Sequence, residues 1–247
     1  MRRLLICLAI AGCARAGKEN SIVGGLVDAG PRRDGGGDGD APDASLVDAP
    51  PQQVTLTQTT SDAVAAGGSR LGCNMSGLTR ENSYYRVFTL ADDRIATTLH
   101  VTEVAFGIDT AVGGTRGSQP ATVRIGTYGG TPGSATLDLS LVRTIDSVDI
   151  QIPDGSGTTM TVPITGDVAP GANLIVELFI PDGSQGGDQG NQFWVGVNAS
   201  GERQPGYLRG PGCSIPDPIP MQSLAQGHMV DDFDLILAVT GITDVPS

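Results

Sequence analysis

Lysine is almost absent from this 247-residue chain, which has only Lys18 and none beyond it. Acidic residues outnumber Lys and Arg by 27 to 15, so the formal net charge is −12 and the pI is near 4.4. Surfaces that bind polyanions carry clusters of basic residues. The composition therefore argues against nucleic acid and anionic lipid headgroups as partners, and it is compatible with bound Ca²⁺ and with neutral polysaccharide.

Catalytic motifs are missing as well. The chain has two histidines, His100 within a predicted strand and His228 in QGHMVDDFD, and it contains neither HExxH nor GxSxG. His228 with a distant Ser, or Glu103 with Glu177 as a glycosidase pair, are the remaining options for a secreted hydrolase. Since isolated surface carboxylates and histidines are far commoner, the sequence predicts a non-catalytic protein.

The apolar run at the N-terminus is too short to cross a membrane. Residues 4–11 are apolar, whereas a spanning helix needs about 20 such residues. Arg2 and Arg3 precede the run, and small residues follow it. This pattern predicts a secretory signal peptide over residues 1–12.

The run ends at residues 10–13 in IAGC, which resembles the lipobox of bacterial lipoproteins. The resemblance implies cleavage before Cys13 and attachment of lipid to its thiol and amine, and several acyl chains anchor a protein stably. Ala14, rather than Asp, follows the cysteine, which in this family implies the outer membrane. The resemblance thus implies an exported protein, lipid-anchored at the outer membrane or cell surface. The alternative is ordinary cleavage with loss of Cys13.

Residues 13–52 have the composition of a linker. Gly, Asp, Ala and Pro dominate, and VDAG, PDAS and VDAP recur. Such a segment buries too little apolar surface to offset its ordering entropy. We therefore predict a disordered stalk between the lipidated N-terminus and a domain over residues 53–247.

Four cysteines are present, and two of them remain for the domain. Cys7 leaves with the signal peptide and Cys13 carries the lipid, so Cys73 and Cys213 stay in an oxidising compartment. A disulfide between Cys73 and Cys213 is the simplest inference. Zinc is the alternative, although lone cysteines without a CxxC motif are unusual ligands.

Residues 53–247 alternate between apolar and polar positions with period two. This pattern predicts strands with one buried face, separated by turn signals such as IPDGS, which occurs twice, and Pro170-Gly171. The alternation predicts an all-β domain, an antiparallel β-sandwich that is jelly-roll-like. The segments are VTLTQTT (54–60), SYYRVFTL (83–90), IATTLHVTEVAFGI (95–108), ATVRIGTY (121–128), ATLDLSLVR (135–143), TMTVPIT (159–165), NLIVELFI (173–180), NQFWVGVN (191–198) and DLILAVTG (234–241).

The domain is similar to a β-sandwich module of secreted bacterial proteins. The segments that carry the resemblance are NSYYRVF, VAFGID, ATVRIGTYG, LIVELFIPDG, NQFWVGVNASG and PGYLRGPGC. It implies a non-catalytic, adhesion-like or carbohydrate-binding-like part. Similar modules have a cysteine before SYYRVF and another after the YL motif, and these positions match Cys73 and Cys213.

Aromatic residues make up 4% of the chain, so each is a candidate for stacking on a sugar. In NQFWVGVN, alternation puts Trp194, Gly196 and Asn198 on the face opposite the apolar one. Tyr128 and Tyr207 are further candidates. The alternative is that Trp194 packs under a loop.

Acidic loops are candidate calcium sites, because Ca²⁺ takes hard oxygen ligands from mobile loops. Solvated turn residues are the alternative, since no loop has the EF-hand spacing. The candidate ligands are Asp182, Asp188 and Asn191 in one loop, and Asp231 and Asp232 in another.

Together these patterns predict a lipid-anchored binding or adhesion module at the cell surface, with polysaccharide as the favoured partner. A structural or protein-interaction domain of the envelope is the alternative.

Overall fold

The computed structural model describes residues 51–65, 70–184, 190–224 and 233–244, which contain fifteen β-strands. Helical structure in these residues is short, namely the helix α1 (Met221–Leu224) and 3₁₀ turns at Leu139–Leu141 and Pro211–Cys213. The strands are β1 (Gln52–Thr57), β2 (Asn74–Met75), β3 (Leu78–Thr79), β4 (Asn82–Thr89), β5 (Leu99–Val112), β6 (Ser118–Tyr128), β7 (Val142–Pro153), β8 (Gly155–Val168), β9 (Asn173–Ile180), β10 (Gln192–Val195), β11 (Val197–Asn198), β12 (Tyr207–Gly210), β13 (Ile215–Pro220), β14 (Asp234–Leu235) and β15 (Leu237–Thr243).

Two antiparallel sheets form the fold. The five-stranded sheet runs β1-β15-β5, with β8 on the other side of β5 and β10 beside the far half of β5. The six-stranded sheet has the order β13-β12-β4-β9-β6-β7. The chain crosses repeatedly between the sheets, since β4, β6, β7 and β9 belong to one and β5, β8 and β10 to the other. The predicted all-β, jelly-roll-like antiparallel sandwich is therefore confirmed.

Alternation along the strands builds the core between the sheets. In β9, Leu174, Val176 and Leu178 are buried in the core, whereas Glu177 and Phe179 occupy the opposite face and are partly exposed. The core positions of β5 meet this layer from the other sheet. Burial of such side chains contributes about 1.5–3 kcal/mol each, which makes this layer the main source of stability.

A second, smaller apolar cluster lies on the outer face of the six-stranded sheet. We call residues 129–141 the covering segment, because Leu137 packs onto this face and the Tyr207 hydroxyl donates to the Ser134 carbonyl at 2.9 Å. The covering segment shields one half of the outer face. The cluster comprises Tyr85, Val87, Tyr128, Leu137, Ile175 and Tyr207.

The strand predicted over residues 135–143 is wrong. Asp138 caps a 3₁₀ turn at Leu139–Leu141 by accepting from the Ser140 amide, and β7 begins only at Val142. The Leu137 side chain packs onto the outer-face cluster, and its amide makes a single hydrogen bond to the Pro218 carbonyl of β13 at 3.1 Å. The alternation of ATLDLSL thus reflects a segment lying across a sheet face, because one buried side chain flanked by polar ones suits that arrangement too.

Cys73 and Cys213 form the predicted disulfide, with 5.6 Å between their Cα atoms. The bond joins the chain just before β2 to the 3₁₀ turn after β12. Because both sulfurs are bonded to each other, the alternative of zinc ligation at these cysteines is wrong.

The predicted signal peptide, Cys13 and nearly all of the predicted stalk lie outside the described residues. In the part of the chain that is described, no helix combines the length and apolar character that a membrane crossing requires.

Candidate functional site

The four residues predicted to bind a ligand do not share one surface. Trp194, in β10, belongs to the five-stranded sheet, whereas Tyr128 and Tyr207 lie on the outer face of the six-stranded sheet. The guanidinium carbon of Arg70 lies 5.9 Å from the centre of the Trp194 ring. Gly196 does not leave open space for a ligand beside the Trp194 ring, because a Cβ at Gly196 would come within 2.6 Å of the Gly107 backbone. Trp194 therefore packs beneath the chain at Arg70.

Asn198 and the two tyrosines each hold a loop. The Asn198 side-chain amide donates to the carbonyls of Ser61 at 2.7 Å and Ala63 at 3.2 Å. Tyr128 accepts from the Asp138 amide at 3.3 Å, and burial raises the pKa of Tyr207 to about 12. The side-chain polar atoms of Asn198, Tyr128 and Tyr207 therefore form hydrogen bonds within the protein.

The acidic loops are only partly described. Asp182 accepts from the Ser184 amide at 2.8 Å and lies 3.2 Å from Arg80, and Asn191 is buried and accepts from the Gly114 amide. In the described ranges, no group of three or more His, Cys, Asp or Glu side chains is placed to hold a metal ion. The candidates Asp188, Asp231 and Asp232 lie outside the described residues.

The residues considered for hydrolysis are not brought together. Glu103 lies on the outer face of the five-stranded sheet and Glu177 on the outer face of the six-stranded sheet, so the core separates their carboxylates. The ring nitrogens of His100 contact Asp167 and Asp244, at 2.7 and 2.9 Å. His228 lies outside the described residues.

A groove of about 330 Å³ opens on the half of the outer face that the covering segment leaves free. Its floor comes from β4, β6 and β9, one wall from the start of β7 and the preceding turn, and the other wall from β12. The lining residues are Ser83, Tyr85, Arg124, Leu139, Val142, Thr144, Glu177, Phe179 and Arg209.

Strand register brings the polar floor together. Glu177 in β9 is directly opposite Tyr85 of β4 on one side and Arg124 of β6 on the other. The next row along the sheet contains Arg209, Ser83 and Phe179, again paired directly across neighbouring strands. Directly opposed side chains in a sheet lie about 4.5–5.5 Å apart at Cβ, so each row acts as one surface.

Glu177 is held from both sides. The Tyr85 hydroxyl donates to its Oε1 at 2.9 Å, and Arg124 donates to its Oε2 at 2.7 Å. The Arg124 guanidinium also stacks on Phe179, 5.1 Å from the ring centre. Burial, followed by the charge of Glu177, raises the pKa of Tyr85, so this phenol stays protonated and keeps donating.

The second row adds a buried serine and another paired arginine. The Ser83 side chain lines the groove and is buried, and its hydrogen bond to Tyr85 opposes the rise in the Tyr85 pKa. Arg209 forms an ion pair with Glu81 at 2.8 Å and donates to the Pro216 carbonyl at 3.0 Å.

Comparisons with known proteins do not assign this chain to a family. No protein-family model matches the chain, and no curated protein matches it. Among solved structures, the clostridial cysteine protease Cwp84 after propeptide cleavage is 10% identical with a TM-score of 0.48, and the match covers 78% of this chain and 40% of that one.

A structure of the cysteine protease and lectin-like domains of Cwp84, a surface-layer-associated protein of Clostridium difficile, is 10% identical with a TM-score of 0.43, covering 68% of this chain and 33% of that one. This chain thus spans 40% and 33% of the two structures' lengths. At such low likeness, we assign nothing from either structure to the present chain.

The sequence signal for the groove was incomplete. Tyr85 and Glu177 are visible as outward positions of alternating strands, but Ser83, Arg124 and Phe179 do not stand out by residue type. Alternation assigns each of them to a face. Only the strand order and the register show that they share one row or the next.

Proposed function

We propose that this chain is a non-catalytic binding module that takes a carbohydrate in the groove of the six-stranded sheet. The observation that carries the proposal is the held carboxylate of Glu177, flanked by Tyr85 and Arg124 in an open groove. Sugar binding uses a few fixed polar groups beside apolar surface, and Leu139 and Val142 supply that surface on one wall.

The test is a glycan-array screen of the purified chain together with matched variants. Glu177→Gln and Tyr85→Phe should lose binding, because they remove the acceptor and the donor that orients it. Glu103→Gln, a carboxylate on the opposite sheet, is the control and should bind normally. Binding that survives Glu177→Gln but is lost in Trp194→Ala would place the ligand at the five-stranded sheet and refute the groove.

The proposed module works at the cell surface on a lipid anchor at Cys13. The support is the IAGC motif after the apolar run of residues 4–11. We expect Cys13→Ala to move the protein from the membrane fraction to the soluble fraction of cells, because acyl chains supply the membrane affinity. Retention of Cys13→Ala in washed membranes would contradict the anchor.

A protein-interaction role in the envelope is the second candidate. Exposed apolar side chains, Leu139, Leu141 and Ile145, lie at the edge of the six-stranded sheet, and exposed apolar patches often bind partners. Cross-linking on intact cells with Leu141→Asp as control tests this role. Adducts that Leu141→Asp abolishes, together with silence on the glycan array, would favour it over carbohydrate binding.

A further inference from the structure

We infer that the groove selects neutral sugars over acidic ones, and that Glu177 binds them through two neighbouring hydroxyl groups. The inference rests on the proposed function, which it makes specific as to ligand class and contact residue.

The first step is the charge of the groove. Both arginines that line it are paired, Arg124 with Glu177 at 2.7 Å and Arg209 with Glu81 at 2.8 Å. A uronate would therefore meet no unpaired cation there. It would have to draw Arg124 away from Glu177, whose side chain is only 17% exposed, and leave that carboxylate uncompensated, which is unfavourable in a partly desolvated site.

The second step is the acceptor capacity of Glu177. An ionised carboxylate accepts about four hydrogen bonds, two on each oxygen. Tyr85 uses one acceptor position on Oε1 and Arg124 uses one on Oε2. Each oxygen keeps a free acceptor position, so the pair suits two adjacent hydroxyls on one sugar ring.

The third step is the surface around the carboxylate. The buried Ser83 side chain lines the same groove beside Tyr85 and adds no charge to it. Leu139 and Val142 give the facing wall an apolar surface. Such a wall matches the C–H face of a neutral ring better than a charged substituent, because a charge would lose hydration there.

The experiment is calorimetry on the purified chain with neutral oligosaccharides chosen by the array and with their uronate counterparts of the same stereochemistry. We expect wild type to bind the neutral member about tenfold or more tightly than the uronate. Glu177→Gln should weaken neutral binding by about tenfold or more, as for loss of a charged acceptor. The same variant frees Arg124, so its preference should shift toward the uronate.

Two further variants distinguish a specific loss of sugar binding from a loss of the folded structure. Leu139→Asp changes a side chain that is 37% exposed, so it leaves the core intact, and its negative charge at the rim should weaken uronate binding more than neutral binding. Glu103→Gln, on the other sheet, should change neither affinity. Melting temperatures of all variants identify any loss of fold.

The outcomes separate the inference from the proposed function. If wild type prefers the uronate, the neutral selectivity is wrong while the carbohydrate-binding module stands. Neutral binding that Glu177→Gln leaves unchanged refutes the role of Glu177. If neither class of sugar binds, both the inference and the proposed function fall.

Discussion

Arg86 points into the sandwich, although its neighbours Tyr85 and Val87 face outward. Its guanidinium pairs with Glu202 at 2.8 Å, and neither side chain has more than 3% of its surface exposed. Burial lowers the pKa of Arg86 and raises the pKa of Glu202, since burial disfavours each charged form. Arg86 also donates to the Gln204 and Leu235 carbonyls, so it ties the loop before β12 and the strand β14 to β4.

Removing Arg86 should be strongly destabilising. Arg86→Leu leaves Glu202 buried without its partner, and breaking a buried pair in this way costs about 3–5 kcal/mol. Urea unfolding measures the change in the free energy of unfolding. Arg203→Leu, which breaks the pair between the half-exposed Arg203 and Asp93 and a hydrogen bond to the Thr57 carbonyl, is the comparison variant and should cost less, about 1–2 kcal/mol. Equal losses in both variants would contradict this account.

Trp194 and Glu177 show where prediction from single residues stops. Trp194 attracts attention because it is the only tryptophan, yet Arg70 covers its ring. Glu177 looks like one acid among many, yet it has a donor on each side across the sheet. Residue type suggests what a side chain is capable of, whereas its partners come from distant parts of the chain.

At the scale of elements, His100 joins three strand ends. Its Nδ1 lies 2.7 Å from Asp167 at the end of β8, and its Nε2 lies 2.9 Å from Asp244 just after β15. Glu103 is the next acidic residue along β5 on the same face. A neutral imidazole has only one N–H, so the two contacts together require the protonated ring. Hydrogen bonds to Asp167, then to Asp244, raise the pKa of His100.

The contacts of His100 with Asp167 and Asp244 predict that the stability of the folded protein depends on pH, and they fix the direction of that dependence. Because the pKa of His100 is raised in the folded protein, the stabilisation from its two contacts is complete below the unfolded pKa of about 6.5. It disappears as the pH rises through the higher folded pKa. NMR titration should give His100 a pKa above about 6.5, with signals assigned through His100→Gln. The melting-temperature difference between wild type and His100→Gln should shrink from pH 6 to pH 8, and a constant difference would contradict the double contact.

The disulfide joins elements that are 140 residues apart in sequence. In the chain-entropy model, closing such a loop stabilises the folded state by roughly 5 kcal/mol. We expect the double variant Cys73→Ala/Cys213→Ala to lose stability by up to about that amount in urea unfolding. Addition of reductant should lower the melting temperature of wild type but not of the variant. A reductant effect on the variant would point to a different target.

At the scale of the whole molecule, the groove exists because the outer face of the six-stranded sheet is unevenly shielded. The covering segment packs over one half through Leu137 and the tyrosine contacts, and the other half stays open. Deleting residues 131–136 should expose the Tyr128 and Tyr207 region without touching Glu177. The five-stranded sheet, by contrast, carries Glu103 and His100 on its outer face.

Calcium binding by the acidic loops stays a prediction. An ion that binds only the folded state raises its stability, so EGTA should lower the melting temperature if the loops hold Ca²⁺. Asp182→Asn and the pair Asp231→Asn/Asp232→Asn would then show which loop is responsible. An unchanged melting temperature in EGTA would remove both loops as calcium sites.

The sequence by itself determined most of the long strands with their inward and outward faces, and the Cys73–Cys213 pairing, because alternation is a local property and only two cysteines remained. It missed β12, β13 and most of β7. Even the turn at Pro170-Gly171 was visible, and Gly171 has the expected positive φ of 74°. Tertiary structure alone decided that residues 135–141 cross a sheet face and that Tyr85, Glu177 and Arg124 form one row. The reason is that strand order and register join residues about 50 to 90 positions apart, and no local pattern encodes such pairings.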